Sequence, residues 1–312
     1  MSASTRRAVL SLGRIYCDLV FGGLDAMPQL GREIFAPDFA LTPGGGALIT
    51  AAHLAATGRP AALVARFGTD PLSLALDHEI ESLGLDLRFL DRDAAAGPQL
   101  TVVMVKDGDR AFLSRRAGHA RPASFETALS WPDAAHLHIA EYATLHEMSD
   151  AISAAKAKGL TVSLDPSWDD TLIGDPLFFQ RAAGTDIFLP NLEEACALTG
   201  KADPEAALAK LQNYFPIVAL KNGSDGALLA MEGNILSLPS PKVAVVDTTG
   251  AGDAFNAGFL HTWLDGADAR DCLAAAIISG ARSVQASGGT GSLRARPEIL
   301  SGSRPGLRET KS

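Results

Sequence analysis

The chain has 312 residues, 47% of them apolar and 20% charged, with a formal net charge of −9. That is ordinary globular composition, long enough to bury a large core, and it excludes a disordered or fibrous protein. The negative balance argues against nucleic acid as a partner, and the apolar runs are too short and interrupted to cross a bilayer.

Taken in chain order, apolar runs of strand length alternate with helical patterns, which predicts βαβ units around a mostly parallel sheet. The strands fall at Ala8–Leu12, Ala61–Phe67, His136–Ala140, Thr161–Asp165, Asp186–Leu189 and Ile217–Leu220. Helices fit Ala47–Ala56, Leu72–Leu83, Leu145–Lys158, Glu205–Tyr214, Gly252–Leu264 and Ala269–Ala286, several of them stopped by a glycine. One region breaks the alternation. Leu100–Lys106 and Arg110–Arg115 flank Asp107-Gly108-Asp109 as a hairpin, and Arg32–Leu41 is a further β-like stretch. These pieces predict a small antiparallel sheet beside the main one, within a single domain. The polar tail, residues 302–312, is expected to fray.

Cys17, Cys196 and Cys272 are widely spaced and odd in number, and read as buried free thiols of a reducing, cytoplasmic compartment. The polar start Met1–Arg7 does not lead into a secretory signal. The seven histidines show no metal-ligand spacing. His138 is read as packed or hydrogen-bonded rather than catalytic, and Trp168 as packed.

The most informative stretch is Asp247-Thr248-Thr249-Gly250-Ala251-Gly252-Asp253, which runs into an apolar helix. A glycine-rich turn at a helix start offers free N–H groups at the positive end of the dipole, a cradle for phosphate. Asp253 inside that cradle would repel an anion, so it either caps the helix or accepts a proton in a reaction. Pro43-Gly44-Gly45-Gly46 opens another helix and allows close backbone approach. Asp18 follows the first strand, where open α/β sheets bind ligands, and an Asx-turn is the plain alternative. Asn191 and Glu194 stand where a capping box would. Lys221 and Gly223–Gly226 follow a strand as a glycine-rich turn, for which a simple hairpin is the first reading on local sequence. Asp70 reads as a helix N-cap. No G-x-x-x-x-G-K-S/T is present, which excludes a P-loop kinase.

The window 247–253 resembles the D-T-x-G-A-G-D signature of the PfkB (ribokinase-like) carbohydrate and nucleoside kinases, and collinear matches extend from about residue 9 to about residue 290. The resemblance implies a ribokinase-like α/β fold with a β lid, built from about 15–42 and 98–117, that closes over the sugar. In the family such lids often pair with a second subunit, so a homodimer through the lid is expected. By the same resemblance Asp253 is the catalytic base, and Gly250, Ala251 and Gly252 form the anion hole. Asp18, Gly44 and Gly45 become substrate ligands, with Arg115 a candidate for a substrate carboxylate. Asn191, Lys221, Gly223, Gly226, Gly250 and Gly252 face ATP. Glu194 organises Mg²⁺ through water, which suits an ion that keeps several waters. Relatives that use K⁺ would hold it at Asp247 and Thr249. Residues 43–58 follow the pattern P-G-G-x-x-x-N-x-A-x-x-L-A-x-x-G except at Ile49, which replaces an Asn that bonds substrate hydroxyls. Ile277 stands near the place of another usual Asn.

The expectation is an ATP-dependent phosphotransferase acting on a hydroxymethyl group of a sugar or sugar-like molecule, with ATP and Mg²⁺ as cofactors. The alternatives are a nucleoside kinase on the same scaffold and a non-catalytic ligand-binding relative.

Overall fold

The structure, a computed structural model, describes residues 7–106 and 109–294. Thirteen strands are described: β1 (Ala8–Leu12), β2 (Tyr16–Gly22), β3 (Asp38–Gly44), β4 (Ala61–Phe67), β5 (Leu90–Arg92), β6 (Leu100–Lys106), β7 (Asp109–Arg115), β8 (Ala134–Ile139), β9 (Thr161–Leu164), β10 (Ile187–Phe188), β11 (Ile217–Lys221), β12 (Ala227–Met231) and β13 (Asn234–Leu238). Helices intervene as α1 (Gly46–Ala56), α2 (Pro71–Ala75), α3 (Asp77–Ser82), α4 (Phe125–Leu129), α5 (Tyr142–Glu147), α6 (Ala151–Ala157), α7 (Phe178–Arg181), α8 (Leu192–Thr199), α9 (Pro204–Leu211), α10 (Ala251–Leu264), α11 (Ala269–Ser283) and α12 (Gly291–Arg294).

Nine strands form the main sheet in the order β13-β12-β11-β10-β9-β8-β1-β4-β5. It is parallel from β5 to β11, and only β12 and β13 run antiparallel. Every residue of β1 and β4 is buried, as expected when helices cover both faces. The two-residue period of each strand then splits the core. Leu10, Leu12, Val64 and Phe188 join one apolar cluster, while their neighbours Val9, Leu63, Ala65 and Ile187 join the other with Phe255 and Phe259 of α10.

The second sheet has the order β3-β2-β6-β7. β2–β3 and β6–β7 are antiparallel and the central β2–β6 pair is parallel, which stitches the two insertions into one lid. Of the expected stretch Arg32–Leu41, only the part from Asp38 is strand. The β6–β7 turn at residues 107–108 and the tail expected to fray lie outside the described residues.

The expected helix Leu72–Leu83 is two helices meeting at Leu76, and Leu145–Lys158 is interrupted between Glu147 and Ala151. In the second case Asp150 directs its carboxylate to Arg121 and does not cap α6. The β12–β13 hairpin escaped the sequence reading. Its turn is Glu232-Gly233, both at positive φ, the geometry of a two-residue hairpin loop. Cys17 and Cys272 are buried, but Cys196 is only half-buried. Among the described residues no helix is long and apolar enough to cross a membrane.

The densest aromatic packing lies on the face away from α10. Phe188 is fully buried, stacked on Phe215 at 4.3 Å and edge-on to Phe178 at 5.9 Å. Phe188→Ala is expected to cost about 4 kcal/mol in denaturant unfolding. The surviving folded fraction should keep its activity, because the ring belongs to the cluster opposite α10.

Candidate active site

The site lies where the lid meets the carboxyl end of the parallel strands. Three consecutive glycines join the two. A Cβ on Gly44 would fall 1.9 Å from Asp18 Oδ2, and one on Gly46 would fall 2.8 Å from Asp253 Oδ1. Between them Gly45 has φ +99° and its backbone presses on the Arg14 carbonyl, where a Cβ would approach to 2.3 Å. Only glycine lets this loop touch both carboxylates and still turn into α1. Asp18 sits on β2 opposite Thr42 of β3 and Thr101 of β6. Burial pushes its pKa up to about 7, against the lowering effect of the Thr101 hydrogen bond.

Gly250, at φ +74°, turns the chain into α10 with no side-chain cap. Asp253 therefore does not cap the helix. The Ala251 N–H closes a turn on the Thr248 carbonyl at 3.2 Å, and Ala254 N–H bonds Gly250 O at 2.8 Å. The amides of Gly250, Gly252 and Asp253 have no intrachain acceptor among the described residues. The available donors thus differ from the expected trio: Ala251 is spent and Asp253 contributes its own N–H.

The floor is a charged network. Lys221 Nζ donates to Asp165 Oδ2 at 2.7 Å and reaches Asn256 Oδ1 at 3.5 Å, while Asn256 Nδ2 donates to the same Asp165 oxygen at 2.6 Å. The ammonium lies beneath Gly252, 3.3 Å from where a Cβ would be. Burial alone would depress Lys221, but the Asp165 and Glu194 carboxylates outweigh it and raise its pKa. Glu194 and Asn191 form the capping box: Asn191 Oδ1 accepts the Glu194 N–H and Glu194 Oε2 accepts the Asn191 N–H, both at 2.8 Å. Burial, then repulsion by Asp165, carries Glu194 up to about 7. Asp253 is likewise raised to about 7 by burial and Asp165, with Lys221 opposing. Three carboxylates face one ammonium, an excess of negative charge that a cation would relieve. Among the described residues no three acidic, imidazole or thiol groups converge as a direct metal cage, so the fit is to a hydrated ion.

Other expected residues fall outside this centre. Arg115 is exposed and donates to the Pro98 carbonyl, while the adjacent Arg116 pairs with Asp169 at 2.6 Å and bonds Tyr16. Gly223 and Gly226 belong to the loop of the antiparallel β11–β12 hairpin, which starts directly after Lys221. Ile49 is buried under Gly250 and Gly289. Asp247 Oδ1 accepts the Thr249 N–H at 2.7 Å and Oδ2 the Gly288 N–H at 2.8 Å. Burial opposes ionisation there, but these bonds and nearby Arg110 hold its pKa low. His138 is fully buried on Ser163, pushed down to about 4 by burial, whereas Trp168 is 41% exposed and bonds Asp170 rather than packing. Asp70 caps α2 as expected. Sequence reasoning missed Gly46, Asn256 and Arg110, and left Asp165 without a role. Asn256 carried a readable signal, standing three residues after Asp253 on one helix face.

Open amides at a helix start, a raised-pKa carboxylate beside them and a second carboxylate under a β lid are the features a small-molecule phosphotransferase site needs. A model described as pfkB family carbohydrate kinase matches residues 24–296, and the chain belongs to that family. The ATP-dependent ribose-1-phosphate kinase of Halopiger xanaduensis is 30% identical over 279 residues, 88% of this chain and 90% of its own length. The 2-dehydro-3-deoxygluconokinase of Bacillus subtilis is 30% identical over 275 residues, covering 80% and 83%. Arabidopsis thaliana ribokinase, solved with ribose and ATP, shares the fold at a TM-score of 0.74 and 23% identity, over 93% of this chain and 98% of that one. The protein is accordingly an ATP-dependent sugar kinase.

The raised pKa of Asp253 has a sign that can be measured. Ionisation above about pH 4 favours the unfolded chain, so this group's contribution to stability is full below that pH and lost as pH rises through about 7. Asp253→Asn should therefore gain in melting temperature over the wild type progressively from pH 4.5 to 7.5 and level off above. A difference independent of pH would show that Asp253 ionises normally.

Proposed function

We propose that the kinase transfers the γ-phosphoryl group of ATP to a hydroxymethyl group of a sugar or sugar-like compound, with Asp253 as the proton acceptor. The observation that carries this reading is the Asp253 carboxylate, which accepts no hydrogen bond among the described residues and stands beside the Gly46 backbone, next to the open amides of α10. The substrate oxygen forms a bond to the γ-phosphorus as the bond to the β-phosphate bridging oxygen breaks. The hydroxyl proton passes to Asp253 and ADP leaves. The N–H groups of Gly250, Gly252 and Asp253 face the charge on the phosphoryl oxygens, so the chain's contribution is positioning and electrostatics.

Asp18, Gly44 and Gly45 line the sugar side, with Asp18 accepting from substrate hydroxyls. Ile49 is packed away from solvent and contributes apolar support in place of the usual Asn. Asn191, Glu194, Lys221 and the hairpin glycines Gly223 and Gly226 border the ATP side. Glu194, with Asn191 beside it, would hold Mg²⁺ through its waters, and the ion would supply positive charge to the phosphates and to the three carboxylates. Lys221 pairs with Asp165 and holds it in place. The outer lid carries exposed Leu30, Phe35, Phe39, Phe112 and Leu113, an apolar surface that supports pairing with a second copy. The free thiols Cys17, Cys196 and Cys272 support a reducing, cytoplasmic setting.

ADP release measured against sugars, sugar phosphates, sugar acids and nucleosides tests the substrate class, and a strict preference for nucleosides would overturn the sugar reading. Asp253→Asn should fold and lose at least about 10³-fold in kcat. Gly46→Ala, whose methyl would crowd the carboxylate, should lose roughly 10²-fold in kcat. Wild-type kcat in Asp253→Asn would remove the proposed base. By sedimentation equilibrium the wild type should be a dimer and Phe112→Asp a monomer; a monomeric wild type would refute pairing through the lid.

A further inference from the structure

The lid and the turn that leads into α10 meet at one side chain. Arg110, the second residue of β7, places Nη1 2.9 Å from Asp247 Oδ1, donates from the same atom to Thr249 Oγ1, and donates from Nη2 to Thr248 Oγ1 at 2.6 Å. Its side chain is 10% exposed. Three successive side chains of the turn are thus gathered on one guanidinium. Asp247 completes the clamp by accepting the Thr249 and Gly288 amides at 2.7 and 2.8 Å. The next residue is Gly250, which sets the direction of α10 and of the amides around Asp253. A planar fork of donors is needed to reach three oxygens at once, and arginine alone supplies it.

We propose that Arg110 is a positioning residue: a cation supplied by the chain itself, which fixes the Asp247–Thr249 turn when the lid is down and makes a free monovalent cation unnecessary there. The inference rests on the phosphotransferase reading of Asp253 and the α10 amides. The main-chain carbonyls of Asp247 and Thr249 accept no hydrogen bond among the described residues, but the Asp247 carboxylate is engaged through both oxygens. The positive charge that K⁺ would bring to this turn is already present. The lid and the phosphate-facing amides are coupled through the same contact, so lid closure over a sugar also sets the amide geometry.

The test compares wild type, Arg110→Ala and Arg110→Lys in KCl and in tetramethylammonium chloride at equal ionic strength, measuring kcat, both KM values and melting temperature. Wild type should turn over equally in the two salts. Arg110→Ala should lose roughly tenfold to a hundredfold in kcat, with a smaller change in sugar KM. K⁺ should restore part of that loss and raise the melting temperature of Arg110→Ala but not of wild type, and Arg110→Lys should fall between. Strong K⁺ activation of wild type, an unchanged kcat in Arg110→Ala, or equal impairment of Arg110→Ala in both salts would each overturn the proposal. Those results leave the base assignment standing if Asp253→Asn is inactive, whereas an active Asp253→Asn removes the reading on which the proposal rests.

Discussion

A carboxylate in the first turn of a helix ordinarily gains from the positive end of the dipole, by about 0.3–1 kcal/mol, which would lower its pKa by well under one unit. Asp253 goes the other way, from the usual aspartate value to about 7, so burial and the Asp165 charge outweigh both the helix and Lys221. The rest of the cleft follows from tolerating that group. Gly46 must lack a side chain, α10 must begin without a side-chain cap, and a buried ammonium must sit beneath the helix. The same arrangement leaves the amides open, and an open, positively polarised helix start next to a half-protonated carboxylate can hold a phosphoryl group beside a proton acceptor.

Lys221 shows how this balance is kept. Its ammonium is shared between Asp165 and Asn256, and Asn256 returns a hydrogen bond to Asp165. An isolated buried ammonium would be costly, but one that is paired and triangulated is stable and cannot swing freely. It acts from below as a fixed counter-charge. Glu194 serves two ends in a similar way: one oxygen closes the capping box of α8, while its charge adds to the negative field at the cleft floor. Capping and cation binding are not exclusive readings of that residue.

The main fold was legible because its period is simple. Fully buried parallel strands and helices stopped by glycine left clear marks, and β1 and β4 match their expected limits. The interruptions at Leu76 and between Glu147 and Ala151 carried no Gly or Pro to mark them. The parallel β2–β6 pairing joins segments some eighty residues apart, and no local pattern encodes it. At the site, glycine motifs located the loop but not its purpose: Gly46 proved to be the neighbour of Asp253 because register in three dimensions decides which Cβ is forbidden. Arg115, expected near a substrate carboxylate, is instead exposed at the end of β7 and bonds the Pro98 carbonyl, a placement no local pattern encodes. Arg110 was invisible for the same reason, since its partners lie about 140 residues away.

The central claim is that burial holds Asp253 near a pKa of 7 so that it can take a proton at neutral pH. The pH dependence of kcat/KM for the preferred sugar, measured on wild type with saturating MgATP, tests it most directly. The account predicts a tenfold rise per pH unit at the acidic end, bending to a plateau near pH 7. A profile flat from pH 5 to 8 would contradict it, because a carboxylate that is already ionised at pH 5 is not the group described above.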